Sequence, residues 1–151
     1  MKAILLLSAA AVTLAACNAN DSSAGAQSDS AHRARAEQVM QDTANFTTIE
    51  WLDSTNQDLG KVMMGAKVEV VWRFRNSGNK PLVIERAQPG CGCTVAEKPE
   101  APIAPGGEGR IRATFDSEGR AGSNHKNVLV MANTKPRQDH DLQFSIEVGN
   151  Q

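Results

Sequence analysis

Cys91 and Cys93 stand one residue apart in Pro89-Gly90-Cys91-Gly92-Cys93-Thr94, and no other side chains in the chain are better suited to chemistry. Glycines on either side of Cys91 free the backbone for positive φ, so a turn can bring both sulfurs to one side. Three readings of the pair stand open. The first is a structural or incidental disulfide across a tight loop. The second is a redox-active pair, because a ring this small is hard to close at the preferred torsion of about 90°, and strain makes a disulfide easier to reduce. Against it, the sequence has no Cys-x-x-Cys in a βαβ setting, so a thioredoxin-like mechanism lacks support. The third is capture of a soft metal, Cu(I) or Zn(II), since thiolates favour both.

The remaining cysteine, Cys17, belongs to a different pattern. Met1-Lys2 precedes an apolar run over residues 3–13, too short for a membrane span of roughly 20 residues, so it reads as an export signal. The run ends in Leu14-Ala15-Ala16-Cys17, which resembles the bacterial lipobox; in such signals the cysteine marks the cleavage site and takes lipid on its sulfur. The plainer alternative is an ordinary small-residue cleavage site beside an unrelated cysteine. A multi-chain lipid buries methylenes worth roughly 0.8 kcal/mol each, enough for stable anchoring where one acyl chain is not. Asn18 stands where some bacteria read an acidic residue as an inner-membrane retention signal, so the lean is towards the outer membrane, facing the periplasm. Lipidation of Cys17 accounts for the odd count of three cysteines. Cys91 and Cys93 are then left as a pair in an oxidising compartment.

These side chains have to be positioned by the rest of the chain. Residues 18–30 are small and polar and cannot bury a core; a flexible tether of about 25 residues has an r.m.s. span of roughly 25–30 Å. Residues 32–40 have the makings of a helical turn or two without a sustained apolar face. Between about residues 45 and 148 the pattern turns to period two, the mark of half-buried strands. Val68, Val70, Trp72 and Phe74 share one parity; so do Ile111, Ala113 and Phe115, and Leu142, Phe144, Ile146 and Val148. The run Val128-Leu129-Val130-Met131 suits a central strand. Turn residues separate these runs at close spacing, including Asn76-Ser77-Gly78-Asn79, Pro105-Gly106-Gly107 and 119–122. The expected organisation is a signal peptide over 1–16, a lipidated, mostly disordered tether over 17–44, and one domain over 45–151. That domain is predicted to be all-β, an immunoglobulin-like antiparallel β-sandwich of about seven strands. It is not of the antibody type, since the sequence has no tyrosine for a tyrosine corner and its paired cysteines are too close to staple two sheets.

The residues from Phe74 to Ile84 (FRNSGNKPLVI), Cys91-Gly92-Cys93-Thr94, Pro102-Ile103-Ala104-Pro105-Gly106, 111–115 and Val130-Met131-Ala132-Asn133 carry a resemblance. They are similar to the bacterial family known as domain of unknown function 1573. The resemblance spans residues 45–148 and implies a fold related to the Hydin-like immunoglobulin domains, often secreted or lipid-anchored. It implies no activity.

An immunoglobulin Greek key gathers the A–B, C–D and E–F loops at one end of the sandwich. With strand B over 66–76, C over 80–88, E over 109–116 and F over 125–132, that end receives Met63, Met64, Cys91, Cys93 and His125. Thiolate, thioether and imidazole would suit Cu(I), and Cys91, Cys93 and His125 are the candidate metal ligands. Methionine at a strand edge is more often packing, and a lone histidine more often surface. The same topology puts the start of the first strand at the far end, so the pair points away from the anchoring membrane.

Other chemistry finds little footing. The chain lacks Gly-x-Ser-x-Gly, His-Glu-x-x-His, phosphate-cradling and calcium-binding loops. His140, between Asp139 and Asp141, reads as part of a solvated charged turn. A formal net charge of −1 and six aromatics, several on core parity, argue against nucleic acid. Trp51 is the one aromatic left for carbohydrate stacking, and Asn45-Phe46-Thr47 matches a glycosylation acceptor by pattern alone. The expected function is a lipid-anchored binding or scaffolding module of the bacterial envelope, held to the membrane through Cys17, with a protein partner and no catalytic activity. The alternative is a periplasmic thiol-redox or soft-metal (copper or zinc) handling protein using Cys91 and Cys93.

Overall fold

The computed structural model describes residues 34, 35 and 37–149. The signal peptide, the lipidation site Cys17 and the tether up to residue 33 lie outside the described residues. Residues 37–41 are helical, and a short 3-10 turn over Thr43–Asn45 follows, capped by the Asp42 carboxylate accepting from the Ala44 N–H at 3.0 Å.

Eight strands follow: β1 (Ile49–Trp51), β2 (Asn56–Met63), β3 (Lys67–Asn76), β4 (Ile84–Pro89), β5 (Thr94–Glu97), β6 (Glu108–Asp116), β7 (Gly122–Ala132) and β8 (Asp139–Gly149). They form two four-stranded sheets, ordered β1-β3-β6-β5 and β2-β8-β7-β4. All pairings are antiparallel except β2 with β8. In immunoglobulin letters this is A-B-E-D facing C-F-G, the constant-type arrangement, with one strand added beside G.

The added strand brings the count to eight because the first strand is split between the sheets. Leu52 still bonds the Arg73 carbonyl on β3, through its N–H at 2.9 Å. Asp53 then takes the Arg73 backbone N–H at 2.8 Å, which ends the pairing, and by Thr55 the chain has crossed to receive the Gln143 N–H of β8 at 2.7 Å. An apolar alternation shows where strands run but not where one changes partners.

The alternating residues become the core. Val70, Trp72 and Phe74 of β3 and Ile111, Ala113 and Phe115 of β6 face Val128 and Val130 of β7 and Leu142, Phe144 and Ile146 of β8, all buried. Phe144 lies between the layers, its ring 6.3 Å from Trp72 and 5.9 Å from Phe115. The run 128–131 does form a central strand, with Leu129 and Met131 turned outward.

Two buried asparagines tie the end of the sandwich where the chain enters. Asn76 accepts from the Thr47 hydroxyl (2.8 Å) and the Gly78 N–H (3.1 Å) and donates to the carbonyls of Lys80 (2.8 Å) and Ile103 (2.9 Å). Asn133 accepts from the Val83 N–H (2.7 Å) and donates to the carbonyls of Asn45 (2.9 Å) and Pro81 (3.0 Å). Full pairing is what permits two polar side chains to sit without exposure. Gly78 completes the clasp, since a Cβ there would come within 2.7 Å of the Thr48 backbone nitrogen.

Candidate functional site

Cys91, Gly92 and Cys93 form the crossover from β4 in one sheet to β5 in the other, at the end opposite the asparagine clasp. The crossover is pinned on both sides. The Gly90 N–H donates to the Asn127 carbonyl of β7 at 3.0 Å, and the Asp116 N–H of β6 donates to the Cys93 carbonyl at 3.0 Å. The two sulfurs are in bonding contact, with the Cα atoms 5.3 Å apart. Cys93 is buried in the core cluster, whereas Cys91 is only partly covered. The buried Thr94 sets its hydroxyl 3.7 Å from the Cys91 sulfur and 3.9 Å from that of Cys93.

The glycines act differently from expectation. Neither Gly90 nor Gly92 has positive φ. At Gly90 a Cβ would meet the Asn127 side-chain oxygen, so the glycine leaves that side chain its place. Nothing lies near a Cβ at Gly92. A turn of ordinary φ brings the sulfurs together.

The three loops do gather at this end. The Ser117 hydroxyl bonds the carbonyls of Met63 (3.1 Å) and Ala66 (2.8 Å), tying the β6–β7 turn to the β2–β3 turn. Met63 is exposed, and Met64 packs partly against the core. His125 is not brought to the cysteines. Strand alternation puts it, with Asn127 and Leu129, on the solvent side of β7. Among the described residues no three His, Cys, Asp or Glu side chains cluster as a metal would need.

The inward position next to His125 belongs to Lys126. Its ammonium lies 5.9 Å from the Phe115 ring centre, and Phe115 is the cross-strand partner of Thr94. Pro89 pairs with Val128 and Gly90 bonds Asn127, so Lys126 is the β7 residue next beyond the point where the chain leaves for the crossover. The sequence reading passed over this lysine. Its signal was parity: Lys126 shares the core side of Val128 and Val130, an unusual place for an ammonium.

At the opposite end His140 is not in a turn. It lies on β8, half-buried, its Nε2 2.8 Å from the Thr134 hydroxyl and its ring 5.8 Å edge-on to Trp51. Burial, reinforced by the Arg137 charge, holds its pKa below the ordinary 6.5. Trp51 packs between His140 and Phe74, 5.4 Å from the latter, so its ring is not offered as a stacking platform. Nearby, Arg73 grips Asp53 with Nε to Oδ2 at 3.0 Å and Nη2 to Oδ1 at 2.7 Å. These side-chain bonds, with the Arg73 backbone N–H, lower the Asp53 carboxyl to about 2.

Fold and site together define a constant-type immunoglobulin-like sandwich with a cysteine-bearing C–D crossover. The chain belongs to the DUF1573 family, described as a protein of unknown function, whose model matches residues 49–148. Among solved structures it is similar to a Porphyromonas gingivalis W83 protein of unknown function, at TM-score 0.61 and 22% identity, over 70% of this chain and 49% of that one. It also resembles the secreted serine protease VesC of Vibrio cholerae (TM-score 0.52, 12% identity, 68% of this chain and 23% of that one). A family 123 glycoside hydrolase of Clostridium perfringens compares similarly (TM-score 0.51, 10% identity, 70% and 28%). The chain spans about half of the first of these and less than a third of the others, and at such identities the likeness is one of fold. No curated protein matches the sequence.

Proposed function

We propose that this is an envelope module that is lipid-anchored through Cys17 and that binds a protein partner with the cysteine end of its sandwich, catalysing nothing in doing so. One observation carries the reading. The chain enters at Asn45, beside Asn133 and the Asn76 clasp, while Cys91 and Cys93 lie at the other end of β3. Ten strand residues at about 3.3 Å each separate the two ends by roughly 30 Å. A lipid on Cys17 would hold the clasp end towards the membrane and leave the cysteine end facing the periplasm. Beside the crossover, the edge strand β5 presents Val95, which is 66% exposed. The other sheet's edges are blunted: β2 by a bulge between Asp58 and Lys61, β4 by an irregular register and Pro89.

Photo-crosslinking in intact cells tests the reading. A crosslinking residue at Val95 is expected to give a discrete protein adduct, and one at Lys135, at the clasp end, is expected to give none. Adducts from Lys135 alone, or a mature chain whose intact mass lacks lipid, would overturn it.

A further inference from the structure

We propose that the Cys91–Cys93 bridge is a thiol–disulfide exchange site for a dithiol-bearing partner protein, with Cys91 the sulfur attacked and Lys126 and Thr94 positioning the charge that the exchange creates. It rests on the reading of the cysteine end as the working surface, and makes the contact there covalent.

The bridge is poorly placed to stabilise the fold. A disulfide stabilises chiefly by closing a long loop of the unfolded chain, and this one closes a ring over a single intervening residue. The crossover is already fastened by the Gly90–Asn127 and Asp116–Cys93 backbone bonds, which do not involve the sulfurs. Opening the bridge therefore leaves both sheets paired.

Reactive sulfurs occupy partly exposed, electropositive surroundings, and inert ones are buried in apolar surroundings. The two cysteines divide along this line: Cys91 is partly exposed, one residue past the Gly90–Asn127 bond as Lys126 is one residue before it on β7, and Cys93 is buried. Lys126 is the ammonium turned inward at this end of β7. The other charges at this end include Lys67 and Asp116, register partners across β3 and β6, and Glu118 and the half-buried Arg120 in the β6–β7 turn, the Glu118 carboxylate lying over Gly65. The Thr94 hydroxyl, within 4 Å of both sulfurs, can donate to whichever one carries the charge.

The exchange runs in two steps. A partner thiolate attacks the Cys91 sulfur; a new S–S bond joins partner and Cys91, the Cys91–Cys93 bond breaks, and its electron pair leaves on Cys93, which takes up a proton. The partner's second thiolate then attacks its own bridged sulfur and releases Cys91 as a thiolate beside the Lys126 ammonium. The partner dithiol has lost two electrons and become a disulfide, and Cys91 and Cys93 have gained them. Stabilising the reduced form is what makes a bridge an oxidant, so electrons flow from partner to this chain.

The test uses the full chain carrying Cys17→Ser, so that only the loop sulfurs report. Millimolar reduced glutathione should open the bridge, as read by mass after alkylation, where structural disulfides resist. With single thiols, Cys93→Ser should react with oxidised glutathione at pH 7 about 10-fold faster than Cys91→Ser. Lys126→Met should slow Cys91 several-fold and move the midpoint of its pH–rate profile upward, and Lys126→Arg should restore it. A bridge that survives glutathione, a faster Cys93, or an unmoved pH profile in Lys126→Met each overturns the proposal. A resistant bridge in a chain that still crosslinks through Val95 removes the exchange and keeps the binding reading; a reactive bridge without that crosslink does the reverse.

Discussion

At the scale of single residues, the sequence motif around the cysteines divides into parts with separate physical reasons. Gly90 is small because Asn127 lies against it, and Asn127 is fixed in turn by its amide donating to the Asp141 carboxylate at 2.9 Å. Gly90→Ala is therefore expected to destabilise the fold by about 0.5–1 kcal/mol, as the Asn127 side chain is pushed aside and its bond to Asp141 disturbed. Most of that loss should be recovered in the Gly90→Ala/Asn127→Ala double variant, as urea unfolding of the four chains of the cycle would show. Gly92 has open space around it, and the same substitution there should cost little. The glycines of Gly90-Cys91-Gly92 were legible as a turn, but the reason for Gly90 was not, because the atom it avoids is 37 positions away in the sequence.

At the scale of elements, the crossing from β1 to β2 is the least repetitive part of the fold, and it is held by side chains. Asp53 with Arg73 ends the pairing of β1, and Trp51 anchors it on Phe74 and His140. His140 has a pH consequence. Its folded pKa lies below the unfolded value, so the unfolded chain binds the proton more readily. Its contribution is fully present above pH 6.5 and is lost as pH falls through the lowered folded value. Wild-type stability is expected to fall below pH 6.5 more steeply than that of His140→Gln, measured by denaturant midpoints across the range. From the sequence this histidine looked like part of a charged turn because Asp139 and Asp141 flank it. The alternation of β8 puts those two acids on the solvent side and the imidazole between them on the other.

At the scale of the whole molecule, one core spans both sheets, with Phe144 touching aromatic rings from β3 and β6. Phe144→Ala should cost about 3–5 kcal/mol, with the unfolding still a single transition of unchanged m-value. The two ends of that core have different characters. One is closed by the fully bonded amides of Asn76 and Asn133; the other is closed by a lysine and a cysteine pair. That polarity is what the proposed anchoring through Cys17 would orient.

Local order in the chain was enough to establish strands, their inward faces and the sandwich, because alternation with period two and turn residues are properties of neighbours in sequence. It also brought the turn at Met63 and Met64, the cysteine crossover and the β6–β7 turn to one end, since the Greek key follows from strand order. Tertiary structure alone decided that the first strand splits between sheets, that the Lys126 ammonium lies over Phe115, and that Trp51 is packed against His140. Each of those depends on register and on contacts between residues far apart in the chain, where a shift of one position exchanges the buried face for the exposed one.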